Sequence, residues 1–277
     1  MYLISSREGF WSDTELSVHD AIKEVDLVGD RPSRDVDDHE AFLSDLSGKK
    51  ILVLVHGYNN EPEDVHNAYA IIEDRIASSV TNDGAYDQVI GYIWPGGDDP
   101  LDYFSAKQRA NSLARRFGIW LQRMSDNQVT VDVMGHSMGP RVILKAMKTR
   151  PDQVVRNVFI MAAAVDNESI EKGEEFYPST QRGKNMFIFH SKHDPVLKTA
   201  YRIAEFDNAL GLRGPEDPHD IIAYSAPTDP ATPNVFVVNC KNHICKHGAY
   251  KRTAVIYDYI SSFLAGTVPD QYVTLPK

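Results

Sequence analysis

Short aliphatic runs and longer amphipathic stretches alternate along most of this chain. Uninterrupted runs such as residues 51–55 (ILVLV) are typical of strands that are buried on both faces. Apolar residues that recur every three or four positions, as in residues 65–76, indicate helices. The pattern predicts strands at residues 51–55, 89–94, 129–134, 157–162, 185–190 and 234–238. It predicts helices over residues 65–76, 106–120, 142–147 and 254–264.

This alternation predicts an α/β fold, with a mostly parallel sheet that is covered by helices on both faces. In such a sheet, ligand chemistry collects at the carboxyl ends of the strands. The chain of 277 residues is long enough for one large domain of this kind. Since no Ser/Gly linker or low-complexity stretch divides it, we predict a single domain over residues 50–277.

Residues 1–49 lie outside the alternation. They begin with an apolar triplet at residues 2–4, which is long enough for a short strand, and become polar and acidic over residues 29–40. This composition predicts a lead-in segment that packs at the periphery of the domain.

Charge and composition exclude several classes of protein. The chain has 29 basic and 39 acidic residues and a net charge of −10, which disfavours nucleic acid or an anionic membrane surface as a partner. No apolar run approaches the ~20 residues needed to cross a bilayer, so no integral membrane segment is expected. Two cysteines are too few for a disulfide scaffold, and the N-terminus lacks a basic region followed by an apolar stretch. We therefore expect a cytoplasmic protein.

The segment Gly135-His136-Ser137-Met138-Gly139 connects a predicted strand to a predicted helix. This is the setting of a G-x-S-x-G nucleophile elbow, in which small flanking residues permit a tight turn that exposes the serine hydroxyl. The start of the following helix directs backbone amides at the same place, where they can stabilise an oxyanion. We predict that Ser137 is a nucleophile and that the Met138 amide binds the oxyanion.

A second oxyanion donor is expected from the loop after an earlier strand. His56, Gly57 and Tyr58 follow the aliphatic run at residues 51–55, and the Tyr58 amide is the predicted donor. The alternative interpretation of this loop is a glycine turn beside a core histidine.

A serine nucleophile needs a base and an acid that orients the base, in the chain order Ser, Asp or Glu, His. Asp194 follows the strand predicted at residues 185–190 and is the predicted acid. Its alternative role is to cap the helix that begins near Pro195. Asp166 also follows a predicted strand and is the rival acid.

The base is expected after the last strand, where His243 and His247 are the candidates. We favour His247 because it precedes the final helix closely, in a loop from which an imidazole can reach back to the elbow. His243 is interpreted as a loop or helper histidine, and His136, inside the elbow, as structural.

A competing interpretation is a metal site, since Cys240, His243, Cys245 and His247 lie within eight residues. Their C-x-x-H-x-C-x-H spacing matches no common structural zinc pattern. One catalytic histidine beside two incidental thiols explains the cluster more simply, so we expect no metal.

These motifs resemble the α/β-hydrolase superfamily and, within it, a bacterial family of uncharacterised function with HGYNN and HSMG segments. The likeness spans about residues 50–264 and includes residues 55–60 (VHGYNN), 92–95 (YIWP), 136–139 (HSMG), 191–194 (SKHD) and 247–250 (HGAY). The resemblance implies an esterase-like triad of Ser137, Asp194 and His247 with no cofactor. Departures are Pro140, where Asn is common, and the long Pro-, Asp- and Gly-rich segment 207–233, which either shapes the pocket or is a surface excursion.

Together these features predict a serine hydrolase that cleaves a small-molecule carboxylic ester through an acyl-enzyme. Only residues 167–184 intervene where many relatives place a lid domain, so we expect little or no lid, an open site and small or medium acyl groups. Amide or thioester hydrolysis at the same site, and a non-catalytic binding protein with this fold, are the alternatives.

Overall fold

A mixed sheet forms the centre of the fold and contains ten strands, counted over the described residues. The structure, a computed structural model, describes residues 1–27, 33–79, 85–97, 99, 102–150, 155–217, 225–226 and 229–277. The strands in these ranges are β1 (Tyr2–Arg7), β2 (Leu16–Val25), β3 (Ser33–Asp35), β4 (Lys50–Val55), β5 (Gln88–Ile93), β6 (Thr130–His136), β7 (Val155–Met161), β8 (Gly183–His190), β9 (Ser225–Ala226), β10 (Asp229–Pro233), β11 (Val235–Asn239) and β12 (Tyr272–Thr274).

Along the sheet the strands follow the order β12-β11-β8-β7-β6-β4-β5-β1-β2-β3. Each neighbouring pair from β12 to β1 is parallel, and the edge strands β2 and β3 are antiparallel. β9 and β10 pair with each other in a separate hairpin. The carboxyl ends of the central strands therefore meet at one edge of the sheet, where α/β folds place their ligand sites.

Helices cover both faces of this sheet. They are α1 (His39–Asp45), α2 (Pro62–Ser79), α3 (Tyr103–Asp126), α4 (Gly139–Lys148), α5 (Tyr177–Thr180), α6 (Arg202–Glu205), α7 (Leu210–Arg213) and α8 (Ala254–Leu264), with a π-helical turn at Leu197–Tyr201 and a 3-10 helix at His247–Arg252. Among the described residues, no helix combines the length and the apolar character that crossing a bilayer requires.

The alternation of β4 side chains explains its aliphatic sequence. Val53 and Val55 lie in the same core cluster as buried residues of α1, α3 and α4. Leu52 and Leu54 lie in a second cluster with residues of α2 and α8. Because both faces of the strand are covered, every interior position is apolar. The prediction of an α/β fold with a mostly parallel sheet covered on both faces is confirmed.

The N-terminal segment is part of the sheet, which corrects its interpretation as a peripheral lead-in. β1 lies between β5 and β2 and is buried from its second residue onward. Its polar second half concealed this burial in the sequence. Inside the protein these polar groups are paired: the Ser5 hydroxyl donates to the Phe10 carbonyl (2.7 Å) and the Ser6 hydroxyl to the Ile93 carbonyl (3.3 Å).

The connections that follow β7 and β8 start at the carboxyl ends of these strands, at the edge of the sheet where a ligand site is expected. Between β7 and β8 the chain forms the short helix α5 and, within the described ranges, no separate helical layer. The connection from β8 to β11 holds the π-helical turn, α6 and α7, and residues 218–224 and 227–228 of it lie outside the described ranges. β12 pairs with β11 after α8, and the sequence did not predict it because three residues are too few to show alternation.

Candidate active site

Ser137 lies on the turn between β6 and α4. Its φ is +59°, a left-handed conformation that is uncommon for a residue with a side chain. Two hydrogen bonds hold the turn: the Ser137 N–H donates to the Met161 carbonyl (3.0 Å), and the Ser137 carbonyl accepts from the Ala164 N–H (2.8 Å). A strained strand-to-helix turn of this kind is the geometry that exposes the serine in a nucleophile elbow.

Close backbone approach explains two glycines around Ser137. A Cβ atom on Gly57 would lie 2.7 Å from the Ser137 Cβ, and one on Gly139 would overlap the Val55 carbonyl oxygen. The loop after β4 and the start of α4 can therefore pack this closely only if both positions lack a side chain. As a result, the backbone of the HGYNN loop lies directly against the elbow.

His247 and Asp194 meet at this edge of the sheet. His247 Nδ1 donates to Asp194 Oδ2 at 2.8 Å, and the Asp194 side chain is fully buried whereas that of His247 is 16% exposed. Because a carboxylate only accepts hydrogen bonds, Nδ1 is the donor, and in the neutral ring this leaves Nε2 as an acceptor. Asp194 Oδ1 accepts from the Val196 and Leu197 N–H groups (3.1 and 3.2 Å), so the same carboxylate also caps the following turn.

Two further contacts tie the loops that carry these residues. The Ser191 hydroxyl donates to the Ile244 carbonyl (2.8 Å), which joins the loop after β8 to the loop after β11. His136 Nε2 donates to the His247 carbonyl (2.8 Å). Burial, together with the neighbouring His247, lowers the pKa of His136 to about 3, so this ring is neutral near pH 7. His136 thus holds the backbone of His247 in place.

The rival acid and the rival base lie elsewhere. Asp166 Oδ1 accepts from the Glu168 N–H (3.2 Å), and its carboxylate lies with those of Glu168 and Asp207, their oxygens within 4.8 Å of one another. Burial raises the pKa of Asp166. His243 Nε2 binds the Pro276 carbonyl. The structure therefore brings Asp194, and not Asp166, to His247.

The four residues of the competing metal-site interpretation face different partners. Cys240 is buried with its thiol 3.5 Å from the Val238 carbonyl, and Cys245 is exposed. His243 and His247 bind the groups described above. Within the described residues, these four side chains do not form a cluster of ligand atoms within 4.8 Å of one another.

The loop after β4 presents the Tyr58 amide. His56 Nδ1 donates to the Gly57 carbonyl (2.8 Å), and His56 Nε2 accepts from the Trp94 N–H (3.1 Å). In a trans peptide the Tyr58 N–H points opposite to the Gly57 carbonyl, so the His56 bond directs that amide away from His56. Within the described part of the chain, neither the Tyr58 nor the Met138 N–H has a protein acceptor, as a pair of oxyanion donors requires.

Arg7 supports this loop, and the sequence analysis did not single it out. Its Nε donates to the Trp94 carbonyl (3.0 Å) and its Nη2 to the Asn60 carbonyl (3.3 Å), while Nη1 pairs with Asp13 Oδ1 (2.7 Å). The residue thus joins β1 to the loop that carries Tyr58. No local pattern could reveal this role, because Asn60 lies 53 positions away along the chain.

Two cavities meet at Ser137 in the described structure. Cavity A, of about 330 Å³, is bordered by His247. Cavity B, of about 390 Å³, is bordered by Met138 and Tyr201. Ser137 and Tyr58 border both cavities. A bound molecule that reached Ser137 could therefore extend in two directions.

Lowering the pH from 7.5 to 5 should decrease the free energy of unfolding by about 4 kcal/mol through His136 and His190. Burial lowers the pKa of His136 to about 3 and that of His190 to about 4, so both stay neutral in the folded protein at pH 5. In the unfolded chain they bind protons below about pH 6.5. This stability is present above pH 6.5 and is lost as the pH falls toward the folded pKa values. Urea denaturation at the two pH values measures the change.

The control for this prediction is His190→Leu, which removes one of the two groups. The quantity compared is the difference in its free energy of unfolding between pH 7.5 and pH 5, and not its stability at either pH alone. That difference should shrink by about 2 kcal/mol. A difference equal to that of the unsubstituted protein would contradict the role given to His190.

A mostly parallel sheet covered on both faces, with a serine on a left-handed turn between a central strand and its helix, defines an alpha/beta hydrolase. Residues 35–228 match the family described as "Alpha/beta hydrolase of unknown function (DUF900)", and the chain belongs to this family. No curated protein matches the sequence.

Two solved structures are similar to this chain. One is the product of the gene lin2722 from Listeria innocua, with a TM-score of 0.45 and 12% identity, covering 82% of this chain and 99% of the other. The second is LpqC, a poly(3-hydroxybutyrate) depolymerase from Bordetella parapertussis, with a TM-score of 0.44 and 14% identity, covering 90% of this chain and 91% of the other.

Proposed function

We propose that the protein is a serine hydrolase that cleaves carboxylic esters with small or medium acyl groups. The observation that supports the proposal is the position of Ser137, which lies on a left-handed turn and borders cavity A. His247 borders the same cavity and is hydrogen-bonded to the buried Asp194. A serine at an elbow, a histidine and an acid are the three groups that this chemistry requires.

In the proposed reaction His247 Nε2 takes the proton of the Ser137 hydroxyl as the oxygen attacks the ester carbonyl. Asp194 holds the ring in the tautomer that leaves Nε2 free to accept, and it stabilises the imidazolium that forms. The amides of Tyr58 and Met138 bind the oxyanion of the tetrahedral intermediate.

The intermediate then collapses, the carbon–oxygen bond to the alcohol breaks, and His247 donates its proton to the leaving oxygen. Water activated by His247 attacks the acyl-enzyme in the second half of the cycle, which releases the carboxylic acid and restores the Ser137 hydroxyl. Apart from the water that is consumed, the proposed reaction draws on protein groups.

The test is hydrolysis of p-nitrophenyl acetate and butyrate by the purified protein, together with labelling by a fluorophosphonate. Peptide mass spectrometry locates the label. Turnover with the label on Ser137 is the expected result, since only an activated serine reacts with this probe at neutral pH. Absence of both turnover and label, or a label on a different serine, would overturn the proposal.

A further inference from the structure

Cavity B is built from apolar side chains. The start of α3 contributes Tyr103 and Phe104, and residues 196–206 form the opposite wall. No charged side chain lines the cavity within the described residues. Segment 207–233 was expected either to shape the pocket or to be a surface excursion; residues 218–224 and 227–228 of it lie outside the described ranges, and among the described residues the lining of cavity B ends at Phe206.

The two walls of cavity B are fastened together. Lys107 on α3 binds both carboxylate oxygens of Glu205 on α6, at 2.6 and 2.7 Å. Tyr103 and Tyr201 contact each other edge to face, with their ring centroids 6.4 Å apart. The wall also contains the π-helical turn Leu197–Tyr201, a rare element that occurs frequently at functional sites. These contacts make the cavity a preformed feature of the fold.

The position of His247 distinguishes the alcohol side of the site from the acyl side. In ester hydrolysis the histidine must reach the leaving oxygen to give it a proton. His247 borders cavity A and not cavity B, so cavity A lies on the side of the alcohol. Cavity B is bordered by Ser137 and by Met138, whose amide is the proposed oxyanion donor, and not by His247. It therefore lies on the side of the acyl group.

The mouth of cavity B exposes an apolar rim. Its exposed members are Phe104 (57%), Val196 (42%), Ile203 (73%) and Phe206 (91%). Contiguous exposed apolar groups of this kind mark binding surfaces.

Phe206 is the most unusual member of the rim, because it ends α6 with a φ of +58°. Glycine or asparagine normally occupies this left-handed position. A phenylalanine there gains little burial and strains the backbone, so folding stability does not account for it.

We infer that cavity B is the acyl site, that it takes aliphatic acyl chains of medium length, and that Phe206 and Ile203 cover the chain end at the mouth. This inference rests on the proposed function, since the roles of Ser137 and His247 define the acyl side. An acetyl group would leave most of the cavity unfilled, whereas a long chain would extend past the rim into water.

The first test uses two half-buried helix alanines, Ala204 in cavity B and Ala68 in cavity A. For the unsubstituted protein, kcat/KM for p-nitrophenyl esters should rise about fourfold for each methylene that fits, from acetate toward octanoate. Ala204→Phe should lower the octanoate-to-acetate ratio by about tenfold or more. Ala68→Phe should change absolute rates but keep this ratio within about twofold. A ratio that is unchanged in Ala204→Phe, or that falls equally in both variants, would overturn the assignment.

The second test concerns the rim. Phe206→Gly should lower the octanoate-to-acetate ratio by about fourfold without lowering the thermal midpoint, because glycine suits the left-handed conformation. An unchanged ratio in a folded variant would overturn the role given to Phe206.

A binding measurement separates this inference from the proposed function. In a Ser137→Ala background, 11-(dansylamino)undecanoic acid should bind, and Ala204→Phe should weaken binding by about tenfold whereas Ala68→Phe should not. If the protein showed neither turnover nor label, the proposed function would fail, yet binding that depends on Ala204 would still support an aliphatic site in cavity B. Binding that neither substitution affects would overturn that site.

Discussion

Replacing Ser137 with alanine should lower kcat for p-nitrophenyl butyrate by about a million-fold, the size of effect seen when a triad nucleophile is removed. The remaining rate would come from oxyanion donors and from binding, neither of which the substitution touches. Alanine at this position meets the same backbone strain as serine, so the thermal midpoint should hardly change. A Ser137→Ala protein that retained activity within tenfold of the original would exclude Ser137 as the nucleophile.

Two controls keep this result interpretable. Ser137→Gly should be equally inactive but more stable by about 1 kcal/mol, because glycine adopts a φ of +59° without the penalty of a side chain. Ser262→Ala, on the exposed face of α8, should retain full activity. A folded protein that loses activity only when position 137 changes would tie the chemistry to that hydroxyl.

Replacing Asp194 with asparagine should lower kcat by about 10⁴-fold. Asparagine keeps an oxygen that can accept from the Val196 and Leu197 amides, so the turn that Asp194 caps should still form. Its amide group would donate to His247 Nδ1, which moves the ring proton to Nε2 and removes the acceptor for the serine proton. Steady-state kinetics with p-nitrophenyl butyrate, beside a thermal melt, measures both expectations.

The matched control is Asp166→Asn, which makes the same change at the rival acid. Asp166 lies with Glu168 and Asp207, and its carboxylate accepts from the Glu168 N–H, whereas Asp194 binds the His247 ring. We expect its activity to stay within about twofold of the original, because the substitution leaves the His247–Asp194 bond intact. If activity fell more in Asp166→Asn than in Asp194→Asn, Asp166 and not Asp194 would be the acid of the triad.

The aliphatic strands at the centre of the sheet were predictable from the sequence, whereas the burial of β1 was not. β4 is covered by helices on both faces, so its aliphatic run is continuous and easy to recognise. β1 is also buried, but it ends in Ser5, Ser6 and Arg7, whose polar groups are satisfied by partners distant in the chain. A prediction that uses only the polarity of each residue places such residues at the surface.

The sequence by itself determined the local chemistry of the elbow. Gly135, Ser137 and Gly139 stand between an aliphatic run and an amphipathic stretch, and this local order was enough to predict a tight turn with an exposed serine. The sequence also narrowed the acid and the base to two candidates each, because strand ends are visible as breaks in the aliphatic runs.

Only the tertiary structure decided which of these candidates meet. Asp194 lies beside His247 across 53 positions of sequence, Arg7 supports the loop that carries Tyr58, and α3 with residues 196–206 encloses cavity B. Each of these contacts joins segments far apart in the chain. Their proximity depends on the order of strands in the sheet and on how helices pack against it, which residue spacing along the chain does not encode.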